Sequence, residues 1–241
     1  MIDLHCHLLP GVDDGADSMD TALRMAAMAA QSGVELIVTT PHCNTRNRRK
    51  NYRSQELEAR FRQLEAALEQ WQIPLRLAPG AEVLVRGEME PLLEQELLMP
   101  LAGSRYLLVE FYFDELPDEI TRQLGVIRRY GFVPVVAHPE RYFCVQDEPR
   151  LARQWTSQGC VLQLNKGSIL GTLGEGAYAA AEYLLSRGLC RVIASDAHHY
   201  RYRTPELSPL VPELERRFPQ LDPERLLQRN PARILADREL P

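Results

Sequence analysis

Between residues 2 and 195 one pattern recurs seven times: a short run rich in Val, Ile and Leu, then a stretch with helical spacing. The apolar runs fall at 2–7, 35–40, 75–78, 106–110, 132–137, 160–165 and 191–195. Helices are expected between them at 19–32, 51–72, 92–98, 118–130, 151–157 and 177–187, with a loop over 166–176. The helix over 51–72 is clearly amphipathic, since Leu57, Phe61, Leu64 and Leu68 share one face. Ser18, through its hydroxyl, and Gly33, through its lack of a Cβ, suit the opening and the close of the helix over 19–32. Regular strand–helix alternation predicts a parallel sheet with right-handed crossovers. Seven such units in roughly 200 residues favour a closed α/β barrel over an open sheet. The whole chain, 1–241, is expected to be one domain: a barrel over about 1–204 and a Pro-rich helical tail, 205–241, packed on its outside.

Composition narrows the function classes. With 241 residues, 45% of them hydrophobic, the chain can bury a full core. A net charge of −5 and the lack of a basic helical stripe argue against a nucleic-acid partner. One local basic cluster, Arg46, Arg48, Arg49, Lys50 and Arg53, is either a solvated loop or a docking surface for an acidic or phosphorylated partner. Cys6, Cys43, Cys144, Cys160 and Cys190 are odd in number and lack close pair spacing, which predicts reduced thiols. No apolar run approaches the ~20 residues of a membrane span, so no membrane insertion is expected. A cleavable signal is not expected either, because the first strand already occupies the N-terminus. These features together predict a cytoplasmic protein.

In parallel barrels, sites are built at the C-terminal ends of the strands. Here those ends carry His5 and His7 with Asp14 just beyond, then His42, Glu82, Glu110, His138, and Asp196 with His198. Five of the six histidines of the chain are in that set. Period-two alternation would put Asp3, His5 and His7 on one face of the first strand, and Ile2, Leu4 and Cys6 on the other. Mixed imidazole and carboxylate donors without thiolate suit Mn²⁺, Fe²⁺ or Zn²⁺ in a catalytic site. Nine donors exceed the needs of one ion, whereas two or three ions about 3.5–4 Å apart with a bridging carboxylate would use them. Such clusters hydrolyse phosphate esters. Arg141 and Arg203 follow His138 and His198 closely enough to grip phosphoryl oxygens, although a surface salt bridge is the plain alternative for each. His42-Cys43 with Arg49 also matches the H-C-x5-R pattern of thiol phosphatases. That chemistry needs a cradle of backbone N–H groups and a lowered thiol pKa, and the intervening residues contain no glycine. The match is read as accidental.

The ordered set D-x-H-x-H…D-D-G, T-P-H, G-A-E, L-V-E, A-H-P-E-R-Y and S-D-A-H resembles the PHP (polymerase and histidinol phosphatase) superfamily. Within it the chain looks like the bacterial metal-dependent protein-tyrosine phosphatases of the CpsB/YwqE type, encoded with capsule and exopolysaccharide genes. The resemblance implies a distorted (β/α)7 barrel of PHP type holding three ions, typically Mn²⁺, with Fe²⁺, Co²⁺ or Zn²⁺ as alternatives. His5, His7, Glu82, Glu110, His138 and Asp196 would hold the inner pair, Glu82 bridging, and Asp14, His42 and His198 the third. It implies catalytic roles for His42, Arg141 and Arg203, the arginines gripping phosphate. The substrate it implies is the phosphotyrosine tail of a membrane-associated tyrosine autokinase, with a small-molecule phosphatase such as histidinol phosphatase as the alternative. Two features depart from the family pattern: His199, where Asn is commoner, and the aromatic loop Tyr200-Arg201-Tyr202-Arg203, which leaves Arg201 or Arg203 as the gripping residue.

Overall fold

The computed structural model describes residues 1–45 and 50–241. The strand segments are β1 (Ile2–Cys6), β2 (Leu36–Thr39), β3 (His42–Cys43), β4 (Arg76–Pro79), β5 (Glu82–Leu84), β6 (Tyr106–Glu110), β7 (Val133–Ala137), β8 (Val161–Asn165) and β9 (Cys190–Ala194). Every pairing between them is parallel. They form one sheet in the order β1-β2-β4 and another in the order β3-β5-β6-β7-β8-β9.

Two segments more than the expected seven arise because two strands are kinked. Pro41 has no N–H to give the ladder, so the second run breaks there. The chain keeps its place nonetheless: Thr40 N–H donates to the Cys6 carbonyl at 3.0 Å and Glu82 N–H to the Pro41 carbonyl at 3.2 Å. β2 and β3 are thus one rung, and so are β4 and β5, bent at Gly80-Ala81. A Cβ on Gly80 would stand 2.8 Å from Val38 Cγ1, so this kink needs glycine for close packing. The last strand meets the first through Asp196 N–H to the His5 carbonyl (2.8 Å) and His7 N–H to the Ala197 carbonyl (2.9 Å). The parallel strands therefore run round a distorted barrel.

The helices are α1 (Met19–Gln31), α2 (Gln55–Gln70), α3 (Glu90–Glu94), α4 (Pro117–Arg129), α5 (Phe143–Asp147), α6 (Leu151–Ser157), α7 (Lys166–Ile169), α8 (Glu175–Ser186), α9 (Leu210–Arg217) and α10 (Asn230–Leu235). Ser18 caps α1 by accepting from Thr21 N–H at 3.2 Å, as its position suggested. α2 begins later than the apolar pattern implied because Ser54 caps it, accepting from Leu57 N–H at 3.3 Å. The expected loop over 166–176 opens instead with the turn of helix α7, and α5 was not foreseen.

Two apolar layers result. The larger lies between strands and helices and takes in Met25, Leu64, Leu124, Val136, Leu162, Leu184 and Ile193. The smaller fills the barrel interior with Ile2, Leu4, Val38, Leu108, Val135, Ala137 and Val192, plugged by Leu101 and Ile234. The tail expected on the outside thus sends Ile234 into the barrel floor, while Asn230 Nδ2 donates to the Arg191 carbonyl at 2.7 Å. Among the described residues no helix is long and apolar enough to cross a membrane.

The simple alternation expected for β1 does not hold. Ile2 and Leu4 face the interior while Cys6 packs on the helix side, because the β1–β2 register shifts between Asp3 and Cys6. His5 and His7 join the converging donors, whereas the Asp3 carboxylate does not and instead accepts from the His5 backbone N–H at 3.2 Å. The Asp3 carboxylate accepts from Ser195 Oγ (2.5 Å) and from Ser195 N–H (3.1 Å), clamping β1 to the end of β9.

Candidate metal centre

At the C-terminal mouth, donor atoms converge in four overlapping groups: His7, His42 and His198; His5, His7 and Asp196; His5, Glu82 and His138; His42, Glu82 and Glu110, each within 4.8 Å. Glu82 is the hub. Its Oε1 lies 2.8 Å from His138 Nε2 and 3.2 Å from His5 Nε2. Its Oε2 lies 2.9 Å from His42 Nδ1 and 3.3 Å from His7 Nε2. Asp196 Oδ1 stands 3.4 Å from His5 Nε2, 3.5 Å from His7 Nε2 and 3.6 Å from His198 Nδ1. Asp14, with its side chain 57% exposed, closes the outer side at 3.6 Å from His42 Nε2 and 4.0 Å from His198 Nε2. All nine residues picked out at the strand ends therefore meet in one place.

Backbone strain accompanies the site. His138 (φ 35°), Asp196 (φ 50°) and Arg203 (φ 47°) all adopt the left-handed region, which costs a non-glycine residue on the order of 1–3 kcal/mol. The Tyr142 hydroxyl braces the first of these bends, donating to the Ala137 carbonyl at 2.8 Å and accepting from Phe111 N–H at 3.2 Å.

Several groups are arranged for a cation. Asp13 Oδ2 faces His7 Nδ1 at 2.7 Å; a carboxylate accepts, so Nδ1 carries the proton and Nε2 directs a lone pair into the cluster. His198 Nδ1 similarly faces the Asp196 carbonyl at 3.1 Å, leaving its buried Nε2 without a hydrogen-bond partner. Buried lone pairs aimed at one another repel unless a positive charge lies between them. Burial alone would raise the Glu82 carboxyl, but the imidazoles of His5 and His42 hold it well below the usual carboxylate range. Asp196 is opposed by burial in the same way, yet His5, His7 and Arg203 keep it well below that range. Burial and the neighbouring His7 push the His198 imidazole down to about 2, so it stays neutral across the working range. Against the opposing effect of burial, Glu82 lifts His42 to about 10. Donor type, burial and lone-pair direction all fit divalent ions.

Both arginines reach the cluster. Arg203 Nη2 is 2.5 Å from Asp196 Oδ2 and Arg141 Nη1 is 3.5 Å from the same oxygen. The Arg141 guanidinium also lies 4.4 Å over the Phe113 ring. Arg201 turns away, its guanidinium 5.3 Å from the Tyr200 ring. His199 is not among the converging groups: its ring stacks on Tyr200 (4.2 Å) and Tyr202 (4.6 Å). Beside the donors a cleft of about 280 Å³ is walled by Leu84, Phe111, Tyr112 and Phe113.

The thiol pattern at His42-Cys43 loses its footing here. Cys43 is fully buried on the helix side of β3, and burial pushes its thiol up to about 12, where a thiolate nucleophile is absent at neutral pH. Arg49, the arginine of that pattern, lies outside the described residues, as do Arg46 and Arg48 of the basic cluster. Cys43→Ser is expected to leave turnover of p-nitrophenyl phosphate within about twofold of wild type, whereas EDTA abolishes it; loss of turnover with unchanged metal content would restore the thiol mechanism.

Residue spacing did not reveal Asp13 as the partner of His7, Tyr142 as a brace, or the buried Gln163 and Asn165. The D-D-G turn signalled an acidic ligand, yet of its two aspartates the inner orients an imidazole and the outer faces the cluster.

A barrel of parallel strands carrying buried imidazoles and carboxylates at its C-terminal mouth is the architecture of a metal-dependent hydrolase. The chain belongs to the CpsB/CapC family of capsular polysaccharide synthesis, which it matches over residues 1–236. It is 34% identical over 218 residues to the tyrosine-protein phosphatase YwqE of Bacillus subtilis, covering 90% of this chain and 85% of that one. With the tyrosine-protein phosphatase CpsB of Streptococcus pneumoniae it shares 29% identity over 245 residues, 98% of this chain and 99% of the other. A structure from the YwqE and CpsB pair, described as metal-dependent tyrosine phosphatases, superposes with a TM-score of 0.92 at 32% identity, covering 100% of this chain and 96% of that chain. A lactonase from Listeria monocytogenes, at 12% identity and a TM-score of 0.65 over 99% of this chain and 95% of that one, shares the fold alone.

Proposed function

We infer that the chain is a metal-dependent protein-tyrosine phosphatase serving capsule or exopolysaccharide synthesis. The observation that carries this is the convergence of nine imidazole and carboxylate residues, Glu82 at their centre, with two arginines and an aromatic-walled cleft beside them. His5, His7, Glu82, Glu110, His138 and Asp196 would hold two ions and Asp14, His42 and His198 a third, with Mn²⁺ the proposed metal. Such ions, when bound, polarise phosphoryl oxygens and acidify a water.

The protein's own groups supply the rest. Arg141 and Arg203 offer planar N–H donors to the phosphoryl oxygens that face away from the cluster, exchanging part of their contact with Asp196 for the substrate. Phe113, beneath Arg141, keeps that guanidinium at the mouth. Leu84, Phe111 and Phe113 give an aryl leaving group apolar surface, which favours phosphotyrosine over an alkyl phosphate. His42 and His198, at the exposed side near Asp14, flank the path by which solvent enters. The whole chain acts as a single catalytic domain in the cytoplasm. Its partner is the phosphotyrosine tail of a membrane-associated tyrosine autokinase; the family's place in capsular polysaccharide synthesis supports that choice.

The test is a comparison of substrates on protein stripped by EDTA and reloaded with Mn²⁺. Phosphotyrosine peptide and p-nitrophenyl phosphate are expected to turn over with kcat/KM well above that of histidinol phosphate. Faster hydrolysis of histidinol phosphate would move the assignment to a small-molecule phosphatase. Hydrolysis that survives EDTA but not iodoacetamide would overturn the metal reading.

Metal uptake should also release protons. In the metal-free protein burial opposes, but Glu82 and Asp196 outweigh, and raise the His5 imidazole, while His42 stands at about 10 and so holds its proton at neutral pH. Metal must displace that proton, and affinity for Mn²⁺ falls as pH falls. The metal-free fold behaves oppositely: the raised pKa of His42 gives stability that is full below 6.5 and is lost as pH rises through about 10. Titration calorimetry in two buffers of different ionisation enthalpy measures the proton count directly, and a count of zero would contradict this charge assignment.

A further inference from the structure

We propose that Gln163 and Asn165 are positioning residues that join His5 and Asp196 into one hydrogen-bonded unit and fix which of their atoms face the metal. This inference rests on the metal-dependent reading above. The chain of contacts is continuous and buried: His5 Nδ1 to Gln163 Oε1 at 2.8 Å, Gln163 Nε2 to Asn165 Oδ1 at 2.9 Å, and Asn165 Nδ2 to Asp196 Oδ2 at 2.5 Å.

Its polarity follows from one end. An ionised carboxylate only accepts, so Asn165 must present its NH₂ to Asp196 and its carbonyl to Gln163. Gln163 then donates through its own NH₂ and turns its carbonyl to His5. His5 must answer with Nδ1–H, which leaves a lone pair on Nε2, 3.2 Å from His7 Nε2 and 3.2 Å from Glu82 Oε1. A reversed tautomer would oppose lone pairs at the His5–Gln163 contact. At the other end, Asn165, Arg203 and Arg141 all approach Asp196 Oδ2. They leave Oδ1 as the oxygen facing His5, His7 and His198.

The fold builds the unit from alternate positions of β8. Gln163 and Asn165 both point inward where that strand otherwise carries Val161 on its inner face. The Asn165 backbone is anchored by a further buried group, its N–H donating to Glu140 Oε1 at 2.9 Å. Two amides at lumen positions would be an expensive substitute for apolar packing unless their hydrogen bonds were needed. Neither residue touches the reacting atoms, so their effect passes through His5 and Asp196.

Removing the orienting partner of a metal-binding His costs about 10–100-fold in affinity. Calorimetric Mn²⁺ titration of Gln163→Leu and Asn165→Leu is therefore expected to show that loss for the tightest-bound ions. Gln163→Glu still accepts from His5 Nδ1–H but turns an oxygen toward Asn165 Oδ1, so it should keep that His5 proton while recovering only part of the affinity. ¹⁵N spectra of Zn²⁺-loaded wild type should contain a slowly exchanging His5 Nδ1–H that Gln163→Leu lacks. A folded Gln163→Leu that binds Mn²⁺ as tightly as wild type and keeps that resonance overturns the proposal alone. If Gln163→Leu fails to fold, Gln163→Glu and Asn165→Leu decide by the same two readouts. Wild-type protein that takes up no Mn²⁺ overturns the functional reading as well, which separates the two failures.

Discussion

Glu82→Gln is expected to lower kcat for p-nitrophenyl phosphate by a factor on the order of 10² or more, even with Mn²⁺ in excess. The change keeps size and shape and removes one charge at the most crowded point of the site. Glu82 is fully buried, and each of its oxygens serves two imidazoles: Oε1 those of His5 and His138, Oε2 those of His7 and His42. An amide offers only one acceptor oxygen, and its NH₂ would face imidazole nitrogens whose lone pairs are meant for a cation. Ions held by these imidazoles would then lose a neutralising carboxylate, and their mutual repulsion would limit loading. The measurement is kcat together with metal content by elemental analysis. Near-wild-type turnover with a full metal complement would show that Glu82 does not bridge.

How far such a site can be read from sequence depends on which residues carry a periodic signal. Strand positions did: the runs around Val109, Val136 and Ile193 lie within a residue or two of their expected places. Strand ends did as well, since a His or acidic residue closing an apolar run marks the C-terminal mouth of a parallel barrel. Local backbone irregularity was hidden. The register shift in β1 breaks the shared face expected of Asp3, His5 and His7, and nothing in Ile2-Asp3-Leu4-His5 announces it, because strict alternation is the default for a strand. Pro41 was visible as a break, but not that the rung resumes beyond it. Buried amides were hidden for a related reason. Gln163 and Asn165 sit within an apolar strand and look like ordinary polar interruptions until their partners, far away in the chain, are placed beside them. Choosing between Arg201 and Arg203 also needed three dimensions: the left-handed turn at Arg203 sends one guanidinium inward while its neighbour lies over Tyr200.

Gly15→Ala should be nearly as damaging as loss of a ligand, although Gly15 carries no chemistry. Its backbone crosses the end of β1 so closely that a Cβ would stand 2.2 Å from the His7 carbonyl oxygen and 2.3 Å from His7 Cβ. Neither is the movable tip of a side chain. Relief requires the Asp13–Ala16 turn to shift from the strand, which breaks the Ala16 N–H bond to the His7 carbonyl (3.0 Å). The same shift pulls Gly15 N–H from Asp13 Oδ1 (3.0 Å). Asp13 cannot then keep both His7 Nδ1 at 2.7 Å and the His42 N–H at 2.9 Å, so one added methyl displaces two proposed ligands. Overpacking of this kind costs roughly 1–3 kcal/mol in stability, and a misdirected imidazole costs about 10–100-fold in metal affinity. Urea unfolding of the EDTA-treated protein would isolate the first effect, and Mn²⁺ titration of the folded variant the second. A Gly15→Ala protein as stable as wild type and binding Mn²⁺ equally well would mean that the turn can move without carrying His7 along, and that Asp13 does not hold that ring in place.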